Sequence, residues 1–203
     1  IVVSTAIEDT VVEVKKAKEL DIPIVRRSEL LAMIAASKKT IAVGGTSGKS
    51  TTTGMLFDIM KYAGKQPSVI SGAGLVNLIK QGKNGNAFVG SGDWLIIEAD
   101  ESDGSIVQYH PEIGVLLNIE KDHKELDELM KVFAAFQDNS KYFIVNSSNS
   151  HSRKLSVNSK NDFCVDGNCD DAGFQATAFH QDGFHISFKI NLYICTNKVQ
   201  STT

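Results

Sequence analysis

The residue pattern predicts an α/β fold: a mainly parallel sheet flanked by helices, with a β-hairpin late in the chain. Three features carry that expectation. Apolar runs bounded by turn residues alternate with helical segments up to about residue 146. A glycine-rich loop, Gly45-Thr46-Ser47-Gly48-Lys49-Ser50, joins one such run to a helix. Later, two alternating segments, Gln175–Phe179 and Phe184–Phe188, flank Gln181-Asp182-Gly183, whose Asp-Gly step is a hairpin signal.

Taken in order, Ile1-Val2-Val3 is a short β-branched run, and Asp9 or Thr10 caps a helix through roughly Leu20. Ile22-Pro23-Ile24-Val25 reads as a strand, with Pro23 marking its start or an edge, and Ser28 caps a helix through about Ala36. This unit has the form of the closing part of an α/β domain. Thr40–Val43 is the next strand, and the helix after the loop runs from Lys49 to Ala63, where Gly64 ends it as a left-handed cap. Val69-Ile70 is a strand, and residues 72–92, rich in Gly and Asn, form an interrupted loop. Trp94–Glu98 and Ile113–Asn118 read as strands buried on both faces. Leu126, Leu129, Met130, Phe133 and Phe136 line one face of a helix over Lys124–Gln137, and Tyr142–Val145 is a further strand. Ser147–Asn161 reads as loop, and Asn191–Thr203 as a polar stretch with little core pattern after Ile194.

Composition narrows the function classes. A hydrophobic content of 42% suffices for a core, and a formal net charge of -3 argues against nucleic acid as the main partner. No apolar run reaches the length of a membrane span, and the opening residues lack the basic lead-in of a signal peptide. The three cysteines, Cys164, Cys169 and Cys195, form no CxxC pair and are expected as unpaired thiols in a reducing cytoplasm. With a strand at its first residues and a polar end, the chain is expected to be a fragment.

The glycine-rich loop carries the chemistry. Successive backbone N–H groups at a helix start can cradle phosphate oxygens, the Lys adds charge, and the following Ser or Thr offers a hydroxyl to Mg²⁺. The strict GxxxxGK[ST] pattern wants Gly at position 43, where Val43 stands, but the strand–loop–helix context is fulfilled. A plain glycine turn with a solvated Lys49 is the competing account. It leaves a cation at the positive end of a helix with no anion to justify it.

The variant G-T-x-G-K-[ST]-[ST]-[ST] resembles the ATP loop of the Mur ligases, which build the peptide of bacterial cell-wall precursors. Further stretches agree in the same order. Gly72-Ala73-Gly74 through Gly90-Ser91-Gly92 resembles that family's Gly-rich segment. Ile97-Glu98-Ala99-Asp100-Glu101-Ser102-Asp103 is similar to a stretch of the branch that joins L-alanine to UDP-N-acetylmuramate. Asn118-Ile119-Glu120-Lys121-Asp122-His123 is similar to its N-x-E-x-D-H motif, and Val3-Ser4 through Arg26-Arg27 resembles the end of its UDP-sugar-binding domain. The resemblance covers most of residues 1–146. It implies two parts: residues 1–38 as the end of a Rossmann-like UDP-sugar-binding domain, and 39–203 as the ATP-binding central domain, with the C-terminal domain absent.

The residues have their own logic beside it. Glu98 closes a buried strand, and Asn118 and His123 follow the next one, at the sheet edge where α/β folds bind ligands. Mg²⁺ favours oxygen ligands. The resemblance implies ATP and Mg²⁺ as cofactors. Gly45, Thr46, Ser47, Gly48, Lys49, Ser50 and Thr51 would bind ATP, and Ser50, Glu98 and His123 the metal. Lys49, Asn118 and His123 would act in catalysis. Alone, His123 reads as a hydrogen-bonded surface histidine. Asp100, Glu101 and Asp103 are expected to be solvated or orienting.

The implied activity is cytoplasmic, ATP-driven amide formation between UDP-N-acetylmuramate and L-alanine, with the fragment alone inactive. The departures are Ser47 where the family has His or Asn, and Lys124-Glu125 after the His where it has Met-Asp. Phe133 and Phe136 occupy the region of the family's carbamylated lysine, and that role is not transferred to Lys131. A related ligase adding a peptide or another amino acid, a P-loop switch or transport ATPase, and a non-catalytic nucleotide-binding fragment are the competing functions.

Overall fold

The computed structural model describes residues 1–4, 6–102, 104–121, 124–165, 169, 171–194 and 197–202, with 194 and 197–202 by backbone alone. At the start, β1 (Val2–Val3) pairs in parallel with β2 (Val25–Arg26), and α1 (Val12–Glu19) lies between them in sequence. The β2 ladder begins later than the apolar run. Pro23 has no N–H to donate, and Val25 makes the first bond, to the Ile1 carbonyl at 2.9 Å. Neither expected cap of α1 is used. Val11 is the N-cap, while Asp9 pairs with Lys18 and the Thr10 hydroxyl turns to Glu8. Likewise α2 (Arg27–Ala36) takes Ser28 inside its first turn. The Arg26 N–H at its start donates to the Glu29 carboxylate at 2.8 Å.

The central sheet contains β3 (Lys39–Gly44), β4 (Ser68–Ile70), β5 (Ala87–Phe88), β6 (Trp94–Glu98), β7 (Ile113–Leu116) and β8 (Tyr142–Val145). Its order is β5-β4-β6-β3-β7-β8, and β5 alone among them pairs antiparallel. The helices are α3 (Lys49–Tyr62), the short α4 (Val76–Ile79) and α5 (Leu126–Asp138). Side chains alternate across β6. Ile96 packs with Phe57 of α3, Val69 and Leu78, whereas Leu95 and Ile97 face the cluster of Leu129, Phe133 and Phe136 from α5. Helices therefore cover both faces, which is why the strands read as unbroken apolar runs.

The end of the chain departs from expectation. The hairpin of β10 (Phe174–Asp182) and β11 (His185–Ile194) exists, but it is the middle of a four-stranded sheet, β12-β11-β10-β9. β9 (Phe163–Val165) joins in parallel, and β12 (Asn197–Thr202), the polar stretch, joins antiparallel. A register shift between Thr177 and His180, with Ala178 at φ 55°, breaks the alternation from which strand length was read. The unpaired-thiol expectation is also overturned, because Cys164 and Cys169 are joined by a disulfide. The Cys169 carbonyl accepts from buried Gln175, a contact that cysteine spacing does not reveal. Cys195 lies outside the described residues.

Candidate functional site

The site forms where β3, β6 and β7 end side by side. Gly45 (φ 142°) and Gly48 (φ 81°) let the chain turn from β3 into α3. A β-carbon on Gly45 would also lie 3.1 Å from Leu117 Cβ, so the loop passes close against the end of β7. The first N–H groups of α3 have no partner within their own helix, and the helix dipole makes that end positive.

Asn118 clasps the loop. Its Oδ1 accepts from Thr46 Oγ1 at 2.8 Å and from the Ser47 N–H at 3.0 Å, while its Nδ2 donates to the Ser47 carbonyl at 3.2 Å. Thr46 Oγ1 in turn accepts from the Glu120 N–H at 3.1 Å. Thus the segment after β7 fixes the shape of the segment after β3.

On the other side, Ser50 Oγ lies 2.9 Å from both carboxylate oxygens of Glu98. Glu98 Oε2 also accepts from the Gly72 N–H at 2.8 Å and faces Ser71 Oγ at 3.4 Å. A β-carbon on Gly72 would come within 3.1 Å of that oxygen. The Gly-rich segment therefore supplies a backbone donor to the carboxylate, a link the sequence marked only by its glycines.

Of the acidic residues expected to be solvated or orienting, Glu101 is not solvated. Glu101 is buried, and its Oε2 pairs with Lys49 Nζ at 2.8 Å. Lys49 Nζ also donates to the Gly45 carbonyl at 2.7 Å. Burial by itself would raise the Asp100 carboxyl. Hydrogen bonds from the Ser102 backbone and side chain, with the charges of Lys49 and Arg27, outweigh it and hold the group below its ordinary value. Lys124 donates to the Glu101 carbonyl at 3.0 Å.

The structure thus brings Gly45, Thr46, Ser47, Gly48, Lys49, Ser50, Glu98 and Asn118 to one edge, with Thr51 in the first turn of α3. His123, expected as a metal ligand, and Asp103 lie outside the described residues. Such an edge can hold a polyphosphate by backbone N–H groups and Lys49, with a hard cation between Ser50 and Glu98.

Comparison with known proteins gives the same picture. The profile of the Mur ligase middle domain matches residues 43–200. A UDP-N-acetylmuramate–L-alanine ligase of Mesorhizobium japonicum is 39% identical over 147 residues, which cover 70% of this chain and 30% of that protein. One of the same description from Cyanothece is 42% identical over 140 residues, 67% of this chain and 28% of the relative. The chain therefore spans about three-tenths of the length of these relatives. In structure it is similar to the UDP-N-acetylmuramate–alanine ligase of Thermotoga maritima, with a TM-score of 0.80 at 20% identity, over 98% of this chain and 45% of the other. At that identity the likeness speaks for the fold.

Proposed function

Because this chain belongs to the Mur ligase family through its middle domain, we propose that it is the ATP-handling part of a ligase joining L-alanine to UDP-N-acetylmuramate. The observation that carries the proposal is the contact of Ser50 with Glu98 at 2.9 Å, next to Lys49 at the phosphate loop. A glycine turn of merely structural use needs no carboxylate against the hydroxyl that follows its lysine.

In the proposed reaction a carboxylate oxygen of the sugar bonds to the γ-phosphorus of ATP. The bridging P–O bond breaks, and ADP leaves with the electron pair. The amine nitrogen of L-alanine then bonds to the acyl carbon, the bond to phosphate breaks, and inorganic phosphate departs. The new ammonium loses its proton to solvent. Lys49 and the start of α3 offset negative charge on the transferring phosphoryl group, and Asn118 keeps the loop in the shape that presents its N–H groups. Positioning supplies the rest of the rate.

Ser50 and Glu98 fit Mg²⁺ as hard oxygen donors already held together, with His123 as the proposed third ligand. Bound there, the cation would neutralise charge on the phosphate oxygens. We assign residues 1–38 to the end of the UDP-sugar-binding domain and 39–203 to the central domain. The proposed compartment is the cytoplasm. No helix among the described residues is long and apolar enough to cross a membrane.

The test is an assay of the intact protein that carries this chain, with ATP, Mg²⁺, UDP-N-acetylmuramate and L-alanine, following ADP and the amide product. ADP formation should require the sugar nucleotide, and sustained turnover the amino acid as well. Release that ignores them would sink the ligase assignment and favour a nucleotide switch.

A further inference from the structure

Lys49 already has a strong partner within the protein. Its ammonium lies 2.8 Å from Glu101 Oε2, and the two side chains are only 13% and 8% exposed. The partner is itself held, because Lys124 Nζ donates to the Glu101 main-chain carbonyl at 3.0 Å. Thr46, Lys49, Glu101, Ser102 and Lys124 share the wall of one cavity of about 190 Å³ beside the loop. A buried carboxylate this close cancels the charge that Lys49 would otherwise offer to a phosphate, and the low-dielectric setting makes that cancellation strong. The pairing also holds Lys49 against the Gly45 carbonyl at 2.7 Å, across its own loop.

We propose that Glu101 is a positioning residue that competes with the nucleotide phosphates for Lys49, keeping ground-state nucleotide affinity down and taking the lysine back as ADP departs. The inference rests on the nucleotide-binding function assigned above. Binding that is equally tight in ground and transition states does not speed turnover, and slow product release limits it. A counter-carboxylate that weakens the ground state serves a ligase that must release ADP each cycle.

The test measures ADP and ATP affinity by titration calorimetry on the purified protein and on Glu101→Gln. The glutamine keeps an oxygen for Lys49 but no charge. ADP should bind the variant at least about tenfold more tightly, a gain of about 1.4 kcal/mol, and kcat should fall together with KM. Glu101→Asp, which keeps the charge, should stay within about threefold of the parent. A residue of structural importance alone would weaken binding when altered. Equal or weaker ADP binding by a folded Glu101→Gln overturns the proposal. Should that variant not fold, Glu101→Met, similar in volume and uncharged, carries the same expectation. A parent protein that binds neither nucleotide refutes the function assigned above as well, whereas a binding parent with an unaltered variant refutes this inference alone.

Discussion

In the central sheet, β3 buries every residue from Thr40 to Gly44, whereas β10 in the second sheet leaves most of its residues exposed. The central strands sit between α3 on one face and α5 on the other, so their ends are held from both sides. The second sheet rests more on its backbone ladder and on Phe179 stacked against Phe188 at 5.6 Å. Phe184 at the turn is fully exposed, and Ile186 is largely so. Every site residue the structure describes lies at the end of the doubly covered sheet. Catalytic positioning needs ends that do not move, and packing on both faces supplies that. The two regions meet at Asp162, which is buried and accepts from the Val145 N–H of β8 at 2.9 Å and from Ser156 Oγ. Just beyond, the Ser147 N–H donates to the Phe163 carbonyl of β9 at 2.8 Å.

The sharpest way to break this contrast is to cut a large side chain from each region. Phe133→Ala, at a fully buried position of α5, should lower stability by about 3–5 kcal/mol. Phe179→Ala, half-exposed on β10, should cost about 1 kcal/mol. Chemical denaturation measures both, and equal losses would erase the distinction.

A second test addresses the edge itself. In the intact enzyme Lys49→Ala should reduce ATP turnover by about 10²–10³-fold, the usual consequence of losing a donor to a developing oxyanion. It also leaves Glu101 buried without its cation, so the turnover comparison belongs in the background of Glu101→Gln, with circular dichroism reporting the fold. Unchanged turnover in a folded variant contradicts the assignment of the loop.

The joint between the sheets gives an intermediate effect. Asp162→Ala strands the Val145 N–H and should cost about 1–3 kcal/mol, while Asp162→Asn keeps an acceptor there and should cost little. Burial raises the Asp162 carboxyl above its ordinary value, more than its hydrogen bonds from Ser156 and Val145 lower it. The folded state therefore holds that proton more tightly than the unfolded chain. Its contribution to stability is greatest below the unfolded pKa, about 3.9, and is lost as pH rises through the raised folded value. Denaturation midpoints from pH 4 upward should show this loss in the parent and not in Asp162→Asn; parallel profiles would remove the role given to Asp162. The smallest change is expected from Phe184→Ser, within about 0.5 kcal/mol by the same measurement. A larger loss would show that the hairpin turn is covered.

Local order made much of the central region legible. A strand, a loop with glycines at positions 45 and 48, and a helix beginning at Lys49 are contiguous signals, and the structure places α3 at Lys49–Tyr62 and β6 at Trp94–Glu98. The second sheet was half legible, because the Asp-Gly step marks a turn but says nothing about which strands add to its flanks. β9 and β12 joined through backbone pairing, which leaves little trace in side-chain pattern.

The glycine-rich loop and the succession of buried strands follow from local sequence, since both rest on neighbours in the chain and on the placing of apolar residues. What those residues touch depends on how the strands pair and pack. Asn118 reaches the loop across 72 positions, Lys49 finds Glu101 across 52, and Ser50 finds Glu98 across 48. The acidic run reads as solvated or orienting because composition counts charges without their partners. It is Glu101 that forms a buried ion pair with Lys49, near where parallel pairing sets the ends of β3 and β6 side by side, with Val43 opposite Glu98. The disulfide of Cys164 with Cys169 is likewise a contact that residue spacing does not record.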